Sequence, residues 1–137
     1  MVSESIFVDT SMFKAMLDRR DDFHGRAKKI WQDLAIQKRP TVTNNFILDE
    51  TFTLLRVKCG RKTVAQFREE LANDFRYCRV YRVLAADEVG AWNWFNKDWR
   101  SLSFTDCVSF AMMKRMKIQE VTTFDMHFKR AGFRIVQ

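Results

Sequence analysis

The stretch EVTTFDMHF, Glu120–Phe128, begins as an apolar and β-branched run and stops at Asp125, with an aromatic residue on either side of the acid. Its composition is that of a buried strand, and a buried strand has no packing reason to end in a carboxylate. The other end of the chain repeats the arrangement. In SIFVDTS, Ile6, Phe7 and Val8 lead directly into Asp9. In parallel α/β sheets ligands bind beyond the carboxyl ends of the strands, and both acids occupy that position.

Working outward, the segments between these strands read mostly as helices. DTS supplies capping residues for a first helix through Met12, Phe13, Met16 and Leu17. Phe23, Ala27, Ile30, Trp31, Leu34 and Ala35 recur at helical spacing, with Pro40 just beyond. Thr41 to Thr43 reads as a second strand, followed by cap candidates Asn44 and Asn45 and a helix to about Val57 that stops near Gly60. Val64, Phe67 and Leu71 share a helix face, and Cys78 to Val83 has strand composition. Asp87 to Trp99 is predicted helical, with Val89, Trp92, Phe95 and Trp99 as its core stripe. Ser103 opens a capping-box pattern and a helix to about Lys117. A short helix follows Asp125, and Phe133 to Val136 reads as a last strand. Strands alternating with helices imply an α/β fold with a mainly parallel sheet covered on both faces.

The chain has 137 residues, 47% of them apolar, which predicts one compact domain over residues 1–137. One proline and four glycines argue against a turn-rich β sandwich. The opening residues do not read as a signal peptide and no run of about 18 apolar residues occurs, so a soluble, cytoplasmic protein is expected. Cys59, Cys78 and Cys107 are widely spaced and odd in number; they fit reduced core residues rather than a disulfide framework or zinc site. A net charge of +7 spread along the chain favours a polyanionic partner such as nucleic acid.

Taken singly, three of the acids have ordinary explanations. Asp9 and Asp125 could each cap a following helix, and Asp106 could complete a capping box with Ser103. Glu50 cannot be a cap. On a helical projection it falls inside an apolar arc formed by Phe46, Ile47, Leu48, Phe52, Leu54, Leu55 and Val57. A mid-helix carboxylate facing the core must be neutralised, paired or bound to a cation. Asp106 shares a face with Phe110 and Met113, and so also points inward. If Asp9, Glu50, Asp106 and Asp125 meet in one pocket, each pair at about 4 Å repels by roughly 4 kcal/mol, far more than the ~1 kcal/mol a cap returns. Such a cluster needs a divalent cation or a proton. Oxygen ligands without cysteine or histidine suit Mg2+ or Mn2+. A basic protein with an acidic, cation-binding notch points to phosphodiester chemistry.

The segments VDTS, NFILDE, LSFTDCVSFAMMKRMKI and EVTTFDMHFKRAGF, in this order along nearly the whole chain, resemble PIN-domain ribonucleases, particularly the VapC-type toxins of prokaryotic toxin–antitoxin pairs. The resemblance implies that Asp9, Glu50, Asp106 and Asp125 are the metal-binding acids, and that Thr10, Ser11 and Thr105 place hydroxyls near the metal or phosphate. It further implies a parallel five-stranded sheet, Mg2+- or Mn2+-dependent endonucleolytic cleavage of RNA by metal-activated water, a homodimer, and inhibition by a cognate antitoxin.

Among other residues, His24 and His127 could be general bases, with His127 expected instead on a helix surface. Trp94 is expected to lean outward, and Lys14, Arg19, Arg20, Arg56 and Lys114 are candidate phosphate contacts. Two other functions compete with the toxin: a housekeeping RNA- or DNA-cleaving nuclease, and a PIN-like module that binds RNA or protein without cutting. The complete set of acids argues against the second.

Overall fold

Ile6, Phe7 and Val8 are fully buried in an unbroken apolar run, as a strand covered on both faces requires. They end β1 (Ser3–Val8), the central strand of a five-stranded sheet. The structure, a computed structural model, describes residues 2–73 and 78–136. After β1 come α1 (Thr10–Leu17), α2 (His24–Ile36), β2 (Thr41–Asn44), α3 (Asn45–Cys59) and α4 (Arg61–Asn73). The second part contains β3 (Arg79–Tyr81), α5 (Ala85–Phe95), α6 (Phe104–Arg115), β4 (Ile118–Thr122), α7 (His127–Arg130) and β5 (Arg134–Ile135).

The strand order is β3-β2-β1-β4-β5, and every pairing is parallel. The chain steps outward from β1 to β3 and then returns to the far side of β1 for β4 and β5. Right-handed crossovers then put α1–α4 on one face and α5–α7 on the other. The winding reverses between β1 and β4, so the crevice beyond their carboxyl ends is the topological switch point of the sheet. This is the α/β architecture expected from the sequence.

β2 shows how the polar strand residues are accommodated. Thr43 is buried because its Oγ1 donates to the Val8 carbonyl at 2.9 Å. Asn44 is buried because its Oδ1 accepts from the Ile47 N–H, capping α3, while its Nδ2 donates to Ser109 Oγ at 3.1 Å. That second bond ties the start of α3 to α6 across the end of the sheet.

α5 departs from its sequence reading. It runs from Ala85 to Phe95 instead of Asp87 to Trp99, and the expected stripe holds only in part: Trp92 and Phe95 pack on Phe104 and Trp99 is half-buried, but Val89 is 73% and Trp92 50% exposed, whereas Trp94 packs edge-on against Phe110. The cause is close helix packing. A Cβ at Gly90 would lie 3.3 Å from Ala111 Cβ, Ala91 is fully buried, and buried Asp87 is held by Arg115 through two bonds of 2.8 and 3.0 Å. Small residues and a paired acid face α6, which leaves the larger Val89 outside and Trp92 at the rim, against Phe104 at the start of α6. α6 also stops at Arg115, because Lys117 adopts a left-handed φ of 58°. Cys78 and Cys107 are buried and Cys59 half-buried, all as free thiols. Burial pushes the first two up to about 12 and about 11 respectively, which keeps them unreactive.

Candidate active site at the carboxyl end of the sheet

Four elements each deliver one acid to the switch-point crevice. Asp9 follows β1 directly, Glu50 projects from α3, Asp106 sits in the first turn of α6, and Asp125 lies just past β4. Together with Thr10, Ser11, Leu54, Ser101 and Ser103 they line a notch of about 280 Å³. Larger depressions of about 510 to 700 Å³ lie elsewhere among the described residues, lined by no acids or by acids set among several basic side chains.

Asp9 is both a cap and a member of the cluster. Its Oδ2 accepts from the Ser11 N–H at 3.4 Å, from Ser11 Oγ at 2.9 Å and from Thr123 Oγ1 at 2.7 Å. Its Oδ1 is buried with no partner. A buried, unpaired carboxylate oxygen is costly, and here it belongs to an acid that lines a cavity with three others. Asp106 likewise receives only the ordinary half of a cap, since Ser103 Oγ accepts its N–H at 3.0 Å. Its carboxylate meets the other acids instead.

The electrostatics follow from that crowding. Burial, followed by the charges of Asp9 and Asp125 and more weakly Glu50, pushes the Asp106 carboxyl up to about 9. Burial also raises Asp9, to about 6, against the opposing hydrogen bonds from Thr123 and Ser11 and with help from the Asp125 charge. The cluster therefore holds a proton at neutral pH unless a cation takes its place. The donors fit a hard divalent cation: carboxylate oxygens dominate, one of them orphaned, and Asp106, Asp125 and His127 offer ligand atoms lying within 4.8 Å of one another.

Glu50 is half-buried and lines the notch with Leu54, while the core stripe of α3 is Ile47, Thr51 and Leu55. Val57, part of the apolar arc expected from the sequence, is 75% exposed, so the buried face of α3 is narrower than that arc. Of the hydroxyls, Ser11 borders the notch and bonds Asp9. Thr10 also borders it but is a strut, with Oγ1 3.5 Å from the Ile47 carbonyl and accepting from Thr51 Oγ1 at 3.3 Å. Thr105 does not line the notch; Ser101 and Ser103 do. Lys14 is held by Asp18 and Asp21, each at 2.9 Å, and is not a free phosphate contact.

Two supporting residues were not read as such from the sequence. Thr123 donates to Asp9 and accepts from the Asp125 N–H at 2.9 Å, joining the two strand-end acids. His127 is no simple surface residue: its Nε2 lies 2.9 Å from the Arg100 carbonyl, and its ring stacks on Trp99. Its contact holds the turn bearing Ser101, whose φ of 60° is left-handed, against the notch. The available signal was position, because each lies two residues from Asp125.

Comparison with known proteins agrees with this geometry. The chain is 42% identical over 131 residues to VapC20, a 23S rRNA-specific endonuclease of Mycobacterium tuberculosis, covering 93% of this chain and 95% of that protein. It is also similar to the crystal structure of that VapC20, described as a Sarcin-Ricin loop cleaving toxin, with a TM-score of 0.82 and 37% identity over 93% of this chain and 95% of the other. DNA-bound VapBC from Salmonella typhimurium shares the fold, with a TM-score of 0.69, 11% identity and coverage of 99% of this chain and 98% of that one. The PIN domain family model matches residues 6–134. Parallel sheet, switch-point acids and this match agree: the chain belongs to the PIN domain family.

Proposed function

We propose that this protein is a metal-dependent endoribonuclease, acting as a single domain over its length, and the toxin of a VapBC-type pair. The observation that carries the reading is the convergence of Asp9, Glu50, Asp106 and Asp125 on one notch, with an orphaned Asp9 oxygen and an Asp106 carboxyl raised to about 9. The sequence similarity to a 23S rRNA-specific endonuclease supports large-subunit rRNA, at the Sarcin-Ricin loop, as the substrate. A cognate antitoxin and a homodimeric toxin complete the reading and follow from the family resemblance.

Asp9, Glu50, Asp106 and Asp125 would hold Mg2+ or Mn2+. When bound, such an ion supplies Lewis-acid activation of water and stabilises charge on the phosphate oxygens. The chain's own contribution is placement. Thr123 and Ser11 fix Asp9 Oδ2 and with it the orientation of the carboxylate beside the notch. His127 fixes the turn that carries Ser101 beside it. The net charge of +7 draws the polyanion towards a notch that would repel it without its cation.

The test is incubation of purified protein with ribosomes and with a synthetic Sarcin-Ricin stem–loop, with Mg2+ or a chelator, followed by primer extension. A single Mg2+-dependent cut, lost in Asp9→Asn and Asp125→Asn variants that keep the wild-type circular dichroism, is expected. Cleavage of a different RNA removes the substrate assignment. No metal-dependent cleavage of any RNA, or full activity in both variants, removes the nuclease.

A further inference from the structure

Next to the notch lies an aromatic pair that the acid cluster does not use. Phe23, at the start of α2, and Phe124, immediately before Asp125, stack with centroids 4.5 Å apart and planes inclined by only 5°. Phe23 is nevertheless 41% exposed. The guanidinium of Arg26 is 5.8 Å from one ring centre and 5.6 Å from the other. A group nearly equidistant from two stacked rings flanks the stack and does not cap it, so the outer face of Phe23 is left open by the arginine. Arg26 has no acid partner among the described residues, and its charge is exposed.

The pair is anchored to the acids through the backbone. The Phe124 N–H donates to Ser11 Oγ at 2.9 Å, the same hydroxyl that donates to Asp9. The preceding Thr123 bonds Asp9, and the next Cα belongs to Asp125, about 3.8 Å along the chain. The stack therefore begins within one nucleotide's reach of the notch.

We propose that Phe23, backed by Phe124, is a stacking platform for an unpaired nucleobase beside the scissile phosphate, and that Arg26 contacts a neighbouring phosphate. An open ring face with, at its edge, a guanidinium that has no acid partner among the described residues offers both elements of single-stranded RNA binding, base stacking and phosphate attraction. Stacking accepts any base, so the platform selects an unpaired nucleotide and not a sequence. This rests on the nuclease reading of the adjacent notch and adds the class of nucleotide that the notch accepts.

The test measures binding, which separates it from cleavage. Full-length Asp106→Asn protein is titrated, by fluorescence anisotropy, with a labelled Sarcin-Ricin stem–loop that is intact or carries one abasic nucleotide at successive loop positions; a duplex RNA is the control. With Phe23 present, one abasic position is expected to weaken binding about 10-fold. In Phe23→Ala the intact loop should already bind about 10-fold more weakly, and the same abasic position should have no further effect. Phe23→Trp should restore both the affinity and the abasic penalty. Arg26→Gln should reduce the slope of log affinity against log salt by about one on every RNA.

The platform is overturned if Phe23→Ala leaves loop affinity unchanged, or weakens intact, abasic and duplex RNA equally. It is also overturned if Phe23→Ala affects only binding of an antitoxin peptide, which would make the stack a protein-docking surface. A Phe23-dependent abasic penalty in a protein that cuts no RNA would keep the platform and remove the nuclease.

Discussion

His127 Nδ1 lies 3.0 Å from Asp125 Oδ1, on the same ring whose Nε2 is 2.9 Å from the Arg100 carbonyl. The Nδ1 approach is out of line for a hydrogen bond, so the contact is ionic when the ring is charged. The ring thus spans two pieces of the notch wall, the segment bearing Asp125 and the turn bearing Ser101. Partners of this kind orient candidate ligands, and their loss costs about 10–100-fold in metal affinity or activity. His127→Ala should raise the Mg2+ concentration needed for half-maximal cleavage by about that factor while leaving the far-ultraviolet spectrum unchanged. An unaltered Mg2+ titration would reduce His127 to a packing residue.

Asp106 makes the cation-free protein sensitive to pH in a definite direction. Its folded carboxyl is raised from an ordinary value of 3.8 to about 9, so the folded state binds the proton more tightly than the unfolded chain does. The contribution is fully present below about pH 4 and is lost as pH rises towards 9. Asp9, raised to about 6, acts in the same direction over a narrower window. Urea midpoints in a chelator should therefore fall between pH 5 and pH 9. Asp106→Asn should flatten that fall and stabilise the chelated protein at pH 8 by about 1–3 kcal/mol, below the ~4 kcal/mol of one close pair at an effective dielectric near 20. Equal pH slopes for wild type and variant would mean that Asp106 is not crowded by its neighbours.

The same proton gives a calorimetric signature. A cation entering the notch near pH 7.5 must displace the proton held on Asp106, so Mg2+ binding should release close to one proton. Titrations in buffers of different ionisation enthalpy would show it as a linear dependence of apparent heat. Release should disappear at pH 10 and in Asp106→Asn. Heats independent of buffer would show that the cation binds away from this acid.

The alternation of strands and helices and the places of Asp9 and Asp125 were legible in the sequence, because a parallel sheet buries its strands on both faces and writes them as short apolar runs. Asp106 was legible as well, since Phe110 and Met113 mark its inward face. The α5 stripe was misread because periodicity assigns large apolar residues to the core, whereas Gly90, Ala91 and Ala111 set a helix approach too close for them. The supporting bonds were not legible. No local pattern states that Thr123 will face Asp9 across 114 positions, or that a histidine will reach back 27 residues to a carbonyl.

Thr123 gives the sharpest separation between a residue that holds the site and one that merely fills it. Its Oγ1 donates to Asp9 Oδ2 at 2.7 Å and accepts from the Asp125 N–H at 2.9 Å, and Ser11 Oγ lies 3.0 Å away. Valine has nearly the same shape and no hydroxyl. Thr123→Val would leave the Asp125 N–H without its acceptor and Asp9 Oδ2 with Ser11 alone, in a site where Thr123 itself is 5% exposed. Loss of one partner from buried polar groups costs about 1–3 kcal/mol. Removing a hydrogen bond that favours the ionised form should also raise Asp9 further. The acid limb of the pH–rate profile, in which activity rises as Asp9 ionises, should therefore move to higher pH. Thr123→Ser keeps the hydroxyl and should retain the wild-type acid limb, with only the smaller stability loss of a deleted methyl. If valine and serine shift stability and profile alike, packing at this position matters and the hydroxyl link between the two acids does not.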